Sequence, residues 1–350
     1  MRILASPARR NRAANPYNFL LSEALTAQGC EVVDLDGPAF SRWDIFRAKG
    51  RWDVFHIHWP QNYAKSIRGV FVLFVRLLVQ RIKGAKIVWT AHNLHDHDAK
   101  NPFLERVLMS FVARLIHGVI FLSPSSRPAA YEQMPTLRQK PHAIIPHGLY
   151  GVRSGNTRAQ SLSQFGLPQK GAVVGFLGDI RAYKGLDLLL DAFAKIAPGR
   201  MTLFIAGVFA DAEYEKTARD RLSSLLEEGH SVVFHEGRLD HEALADAIRA
   251  CGLVALPYRK SSNSGLALLV LENQVRIIAS DLPVFRELER ELGSNWVRIA
   301  DSCASSDELI SALEPTDTGD VERLNSFVAA RSWTEIGRAT IEFYRQLVAA

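Results

Sequence analysis

Short apolar runs alternate with helix-patterned stretches along this chain, and the alternation runs through twice. Candidate strands fall at 2–5, 31–35, 53–57, 86–90, 118–122 and 143–146, with helix-like segments near 16–28, 65–83 and 102–116. The pattern restarts with strands at 172–177, 201–206, 231–235, 253–256 and 276–279, separated by helices near 185–196, 211–228, 240–250 and 264–274. Strands joined by helical crossovers pair in parallel, and such sheets are covered by helices on both faces. The expected fold class is therefore α/β with two sheet-containing domains. At 350 residues, 47% of them apolar, the chain can fill two cores of ordinary size. The stretch 147–171 carries His-Gly, Ser-Gly-Asn and Leu-Pro and is the expected linker. The domains then span 1–148 and 155–331. The tail reads as a further helix, with Ser332 as N-cap and Glu335 completing a capping box.

Three cysteines, Cys30, Cys251 and Cys303, are too few and too scattered for a disulfide framework or a zinc site. A reducing cytosol is the expected compartment. The apolar start at residues 1–5 is too short for a signal peptide and reads as a first strand. The net charge of +5 hides an asymmetry: residues 1–148 hold 20 Lys and Arg against 10 Asp and Glu, the remainder 22 against 27. A basic first half fits an anionic membrane or an anionic substrate. Nucleic acid is not expected, because zinc-finger spacing, RNA-binding aromatic motifs and long basic runs are all missing.

Several segments carry candidate chemistry. Ser264 and Gly265 open an apolar helix whose N–H groups can face an anion, and Glu272 lies two turns on, on much the same face. Gly178 ends the strand at 172–177 and permits close backbone approach to a ligand, while Arg181 and Lys184 add cations beside the next helix. The polar loop 257–263, with Tyr258 and Asn263, follows another strand, where ligands of open α/β sheets bind. In the first half, His56 and His58 share one side of a strand that Pro60 stops after Trp59. His92, Asn93 and His95 follow the fourth strand, and Asp96, His97 and Asp98 after them are the richest supply of bases, while His92 could instead bond a sugar or phosphate. The spacing of these residues does not fit zinc, and no metal is expected. Lys65, Arg68, Arg76 and Lys83 recur at helical spacing along an apolar stretch, a pattern that suits either a helix packed on the sheet or an interfacial membrane helix. A nicotinamide dehydrogenase is not expected, because no Gly-x-Gly-x-x-Gly follows a strand.

Taken jointly, residues 52–60, 90–94, 181–185, 256–258 and 263–265, with Asn15-Pro16-Tyr17 and 293–297, resemble glycosyltransferase family 94, the β-mannosyltransferases of xanthan assembly. The likeness runs from about residue 15 to 345; a more distant one links 178–185 to glycosyltransferase family 4. The resemblance implies the GT-B fold: two Rossmann-like domains facing a central cleft, with the 332–350 helix packing back on the first. It implies a nucleotide-sugar donor, GDP-mannose, bound in the second domain by Gly178, Arg181, Lys184, Tyr258, Asn263, Ser264, Gly265 and Glu272, with His147 near the hinge. A lipid-diphosphate-linked oligosaccharide would meet Asn15, Tyr17, His58, Trp59 and Asn93 of the first domain. Transfer would invert the anomeric centre without cofactor or metal, with Asp98 or Asp96 as base and His92 beside them. The setting implied is bacterial exopolysaccharide assembly, on the inner face of the cytoplasmic membrane.

Two departures matter. Asp179 stands where family 4 usually has Arg, with Arg181 two residues later. Retaining members of family 4 carry two Glu separated by seven residues; the position eight before Glu272 is Ser264, so the first Glu is missing. A retaining family-4-like transferase using another nucleotide sugar remains the enzyme alternative. A nucleotide-sugar epimerase of the same architecture and a non-catalytic subunit of a polysaccharide assembly complex are the others.

Overall fold

A computed structural model describes residues 1–8, 16–35, 52–92, 101–261, 263–300, 306–313 and 320–350. The chain divides into two compact units, Met1–Gly148 together with Arg331–Ala350, and Leu149–Ala330.

The first unit holds β1 (Arg2–Ser6), β2 (Glu31–Asp34), β3 (Val54–His58), β4 (Lys86–Ala91), β5 (Gly118–Phe121) and β6 (His142–Ile144), with α1 (Tyr17–Ala27), α2 (Ile67–Ile82), α3 (Pro102–Leu115) and α4 (Ser126–Gln133). The strands form one parallel sheet in the order β2-β1-β3-β4-β5-β6. Alternate residues face opposite sides. Leu4, Phe55, Ile87 and Trp89 pack against Leu73 and Leu77 of α2 and Leu108 and Val112 of α3. Ile3, Val54, Val88 and Ile120 pack against Tyr17, Leu21 and Leu25 of α1 and against the C-terminal helix. Burial on both faces is why these strands read as continuous apolar runs rather than alternating ones. The α2 and α3 starts are capped by Ser66 Oγ and Asn101 Oδ1, each accepting a main-chain N–H at 3.0 Å.

The second unit holds β7 (Ala172–Leu177), β8 (Met201–Gly207), β9 (Ser231–Glu236), β10 (Leu253–Leu256), β11 (Arg276–Ser280) and β12 (Val297–Ala300). Its helices are α5 (Arg158–Gln164), α6 (Leu186–Phe193), α7 (Ala212–Glu227), α8 (His241–Ala250), α9 (Gly265–Glu272), α10 (Pro283–Leu292), α11 (Ser306–Ala312) and α12 (Asp320–Ala330). The order β9-β8-β7-β10-β11-β12 is all parallel and is that of a doubly wound nucleotide-binding sheet. The order reverses between β7 and β10, and in the first unit between β1 and β3. Loops leaving those strands at their carboxyl ends are where such sheets take ligands. The last helix, α13 (Trp333–Ala349), belongs to the first unit, where Ile336, Phe343, Tyr344 and Leu347 enter the core. Gly118 has no side chain because Phe343 and Leu347 occupy that space.

The stretch 147–171, read as linker, contains the helix α5, held by a capping box between Thr157 and Gln160. Strand β12 and helices α4, α10, α11 and α12 were not expected from the sequence. Ser332 Oγ caps α13 at 3.4 Å, but Glu335 turns its carboxylate to Arg338 at 2.8 Å, so only half of the expected capping box forms. Among the described residues no helix is long and apolar enough to cross a membrane.

Candidate functional site

In the first unit, the strand ends at the point of reversal gather a buried aromatic and imidazole cluster. Tyr17, at the start of α1, is its hub: its ring lies 4.6 Å from His92, 4.7 Å from His147, 5.3 Å from Trp333 and 5.9 Å from His58. His58 Nδ1 and His92 Nε2 share a hydrogen bond of 3.0 Å. Trp59 stacks on His92 at 4.2 Å and takes a left-handed backbone, φ 45°, rare for a bulky residue. His56 projects to the same side as His58, their rings 4.1 Å apart. His56 bonds Thr90 Oγ1 at 2.7 Å and the Tyr344 hydroxyl at 2.6 Å. His147 Nδ1 donates to the Gly148 carbonyl at 2.6 Å, which leaves Nε2 as an acceptor.

Burial removes these imidazoles from water and disfavours their charged form. It pushes His56 down to about 3. His147 falls to about 4, burial and Arg331 outweighing the Gly148 carbonyl. His58 and His92 lie well below the ordinary value, from burial first and neighbouring histidines second. At neutral pH the cluster is thus uncharged and offers hydrogen bonds and ring faces, which suits sugar hydroxyls better than phosphate. Tyr17 is likewise held protonated by burial.

In the second unit the two loops at the point of reversal meet. Gly178 follows β7 with φ 89°, and its carbonyl fills the place of a side chain on Gly207. A 3₁₀ turn, Ala182–Lys184, leads through Gly185 into α6. Gly185 has φ 72° and lies against the Pro257 carbonyl of the other loop. Lys184 Nζ is 5.9 Å from the Tyr258 ring centre. The buried Tyr258 hydroxyl bonds the side chain of Ser264, which caps α9 by accepting from the Ala267 N–H at 3.2 Å. Lys184, Tyr258 and the start of α9 are therefore contiguous. Burial lowers Lys184 to about 8, with Asp179 pulling up and Arg181 pushing down. An ammonium beside a helix N-terminus at a sheet reversal is a site for an anion.

Glu272, at the far end of α9, accepts the N–H groups of Tyr150 at 3.1 Å and Gly151 at 2.9 Å. Burial raises its pKa against the pull of those N–H groups. Asn273 extends the strap, accepting from the Ser154 N–H at 2.9 Å and donating to the Val152 carbonyl at 3.0 Å. Glu272 is thus an anchor for residues 150–151 whatever else it binds. Gly265 sits against the Tyr150 hydroxyl, so α9 is held at both ends by the same segment.

The structure brings Tyr17, His58, Trp59 and His92 together as one group in the first unit. His147, expected beside the donor residues, lies with them against Tyr17. Gly178, Lys184, Tyr258, Ser264 and Gly265 form the second group, with Arg181 opening the 3₁₀ turn and Asn263 in the loop before α9. Asn15, Asn93, Asp96 and Asp98 lie outside the described residues. The sequence reading missed Thr90, Tyr344, Tyr150 and Asp187. A buried period along α13 marks Tyr344 as core, but nothing local marks its hydroxyl as a partner of His56. Among the described residues no group of three or more His, Cys, Asp or Glu is arranged to hold a metal ion.

Residues 157–319 match the family of glycosyl transferases group 1. The chain is 25% identical over 363 aligned positions to the GDP-mannose:glycolipid 4-beta-D-mannosyltransferase of Xanthomonas campestris pv. campestris, covering 98% of this chain and 91% of that one. It is 25% identical to the D-inositol 3-phosphate glycosyltransferase of Mycolicibacterium smegmatis, covering 96% of this chain and 72% of that one. Anabaena HepE, solved with UDP and glucose, superposes with a TM-score of 0.68 at 15% identity, over 99% of this chain and 100% of that one. The chain is therefore a glycosyltransferase of the GT-B fold, with a glycosyl transferase group 1 domain at residues 157–319.

Proposed function

We propose that this enzyme transfers mannose from GDP-mannose to a lipid-diphosphate-linked oligosaccharide of exopolysaccharide assembly, with inversion. The near full-length similarity to a GDP-mannose:glycolipid 4-beta-D-mannosyltransferase carries this reading. The acceptor hydroxyl attacks the anomeric carbon opposite the leaving group, and the bond from that carbon to the diphosphate oxygen breaks. The diphosphate leaves with the electron pair, its charge met by Lys184, Arg181 and the N-terminus of α9. A carboxylate takes the hydroxyl proton, assigned to Asp98 first and Asp96 second on sequence grounds. Ser264 supports inversion, since it stands as a helix cap where a retaining family-4 enzyme has Glu. The neutral rings of Tyr17, His58, Trp59 and His92 suit an acceptor sugar. No metal or cofactor is assigned a role.

The membrane part of the reading rests on α2 and α3. Ile67, Phe71, Leu78 and Ile82 of α2 and Phe103 and Phe111 of α3 are exposed, beside Lys65, Arg68, Arg81, Arg106 and Arg114. Such a surface suits peripheral attachment to the anionic inner face of the cytoplasmic membrane, where a lipid-linked acceptor resides.

The test is anomeric NMR of the product from GDP-mannose and a lipid-diphosphate disaccharide, with and without EDTA. A β-linked mannoside formed in EDTA is expected. An α-linkage favours the retaining family-4-like alternative. Donor turnover without acceptor favours an epimerase. Nucleotide binding with no turnover favours a non-catalytic subunit.

A further inference from the structure

The loop between β10 and α9 is basic and lies where open α/β sheets bind ligands, and Arg259 is one of its cations. The structure uses it otherwise. Its guanidinium forms a fork on Asp187 of α6, Nη1 to Oδ1 at 3.0 Å and Nη2 to Oδ2 at 2.6 Å. Nη1 also donates to the Ala182 carbonyl at 2.6 Å, and the Arg259 N–H donates to the Tyr183 carbonyl at 2.7 Å. Asp187 is fixed in turn by Tyr214 of α7, whose hydroxyl donates to Oδ1 at 2.7 Å and accepts the Asp187 N–H at 3.2 Å. The fork and that hydroxyl overcome burial and hold the Asp187 carboxyl below its usual range.

These bonds join the two segments that make the anion site. One is the turn 182–184, which ends in Lys184; the other is the loop that runs into Ser264. Gly185 against the Pro257 carbonyl and Tyr183 edge-on to Tyr258 at 6.2 Å bring the same segments together. The charged fork is the tie that reaches past the turn into α6. A planar guanidinium on a carboxylate fixes direction as well as distance, which an ammonium cannot do.

We propose that Arg259 is a positioning residue: pinned by Asp187, it holds the loop before α9 against the Lys184 turn, so that the ammonium and the helix start are spaced for two linked phosphates rather than one. The inference rests on the reading of this unit as the nucleotide-sugar side. Arg259 itself does not touch the donor. Losing the fork lets the two halves of the site drift apart. A monophosphate, held by one half, feels this little; a diphosphate spanning both loses a charge-assisted contact.

The experiment is calorimetric titration of the full chain with GDP and GMP, repeated with UDP and UMP, for wild type, Arg259→Lys and Asp187→Asn. Tyr214→Phe, which removes one hydroxyl from Asp187, supplies the same readout should either variant fail to fold. The wild type is expected to prefer the diphosphate, and every variant to lose about tenfold of that preference, the equivalent of one charge-assisted contact. A merely structural role would weaken mono- and diphosphate alike and leave the ratio unchanged, which overturns the proposal. Weakening by Arg259→Lys with unchanged or tighter binding by Asp187→Asn also overturns it, because a freed Arg259 would then be acting as a ligand. A wild type that binds no nucleoside diphosphate overturns the donor-site reading itself, and the positioning role with it.

Discussion

The Tyr344 hydroxyl lies 2.6 Å from His56 Nδ1, joining residues 288 positions apart in the chain. Both are fully buried. If the phenol accepted this bond, its own hydrogen would be left without an acceptor in the core, so it donates. His56 is then the Nε2–H tautomer and donates onward to Thr90 Oγ1. Tyr344→Phe leaves the Nδ1 lone pair unpaired and is expected to cost about 1–3 kcal/mol. Urea unfolding reads this as a lower midpoint at unchanged slope. An unchanged midpoint would mean that His56 finds another donor.

The buried imidazoles make stability depend on pH, with a definite sign. Folded His56 titrates at about 3 and His147 at about 4, with His58 and His92 also well below an exposed imidazole. Between those values and ~6.5 the unfolded chain binds protons that the folded chain refuses. Their contribution is complete above about pH 7 and is lost as the pH falls through that window, by up to ~1.4 kcal/mol per imidazole per pH unit. The urea midpoint of the first unit is expected to fall steadily from neutral pH to about pH 5. A flat profile would show that these rings take up protons in the folded chain.

Much of the fold was legible because parallel strands buried on both faces leave uninterrupted apolar runs, as in Val54–His58, and because the helices between them keep their period. Part of what escaped was weakly patterned, although α10 was overlooked despite a clear apolar period of Val284, Phe285, Leu288 and Leu292. Strand β12 is four residues with Arg298 inside it, and α5 reads as a polar stretch whose capping box is its one signal. His58 and Lys184 stood out in sequence because each closes or follows a strand run of a doubly wound sheet, whereas Tyr17 entered only through the family resemblance. The true partner of Arg259 was not legible, since its charge looks the same in sequence whether it meets a phosphate or Asp187. Such pairings belong to tertiary structure and leave no local signal. Likewise Glu272 stood out as a lone carboxylate on an apolar helix, but its bonds to Tyr150 and Gly151 span more than a hundred residues.

Glu272→Gln separates the two uses of that side chain. The amide keeps one acceptor and turns an NH₂ toward a main-chain N–H, at a cost of about 1–3 kcal/mol. A lower melting temperature is expected. If the carboxylate also takes a ribose, affinity for GDP falls while affinity for inorganic diphosphate does not. Equal loss for both ligands would confine Glu272 to anchoring residues 150–151.

Lys184 is expected to make diphosphate binding fade in alkaline solution. Burial brings its ammonium to about 8, so raising the pH through that value removes the charge from the free site. A bound diphosphate favours the charged form and draws the midpoint upward. Lys184→Ala is expected to weaken GDP binding about tenfold or more and to abolish this pH dependence. Titrations at neutral and alkaline pH check both. A variant that keeps wild-type affinity for GDP and UDP would remove Lys184 from the site.

The apolar face of α2 and α3 gives the membrane reading a direct test. Ile67 is 79% exposed, Ile82 76% and Phe103 73%, values that a core-facing helix position would not show. Immersing one such side chain in the acyl boundary is worth about 1.5–3 kcal/mol, and each nearby Lys or Arg adds about 1 kcal/mol on anionic lipid. Phe71→Asp with Ile82→Asp is therefore expected to lower binding to phosphatidylglycerol vesicles by about 3 kcal/mol or more, roughly a hundredfold or greater. Arg68→Glu should weaken it less and reduce its salt dependence. None of these side chains lies among the buried histidines or at the anion site, so turnover of a detergent-soluble acceptor should persist in all the variants. Two results would sink the idea. One is vesicle binding that the aspartates leave unchanged. The other is a wild type that ignores vesicles at low salt but pairs with itself in light scattering, with the aspartates abolishing that pairing, which would make the same face a contact between copies of the chain.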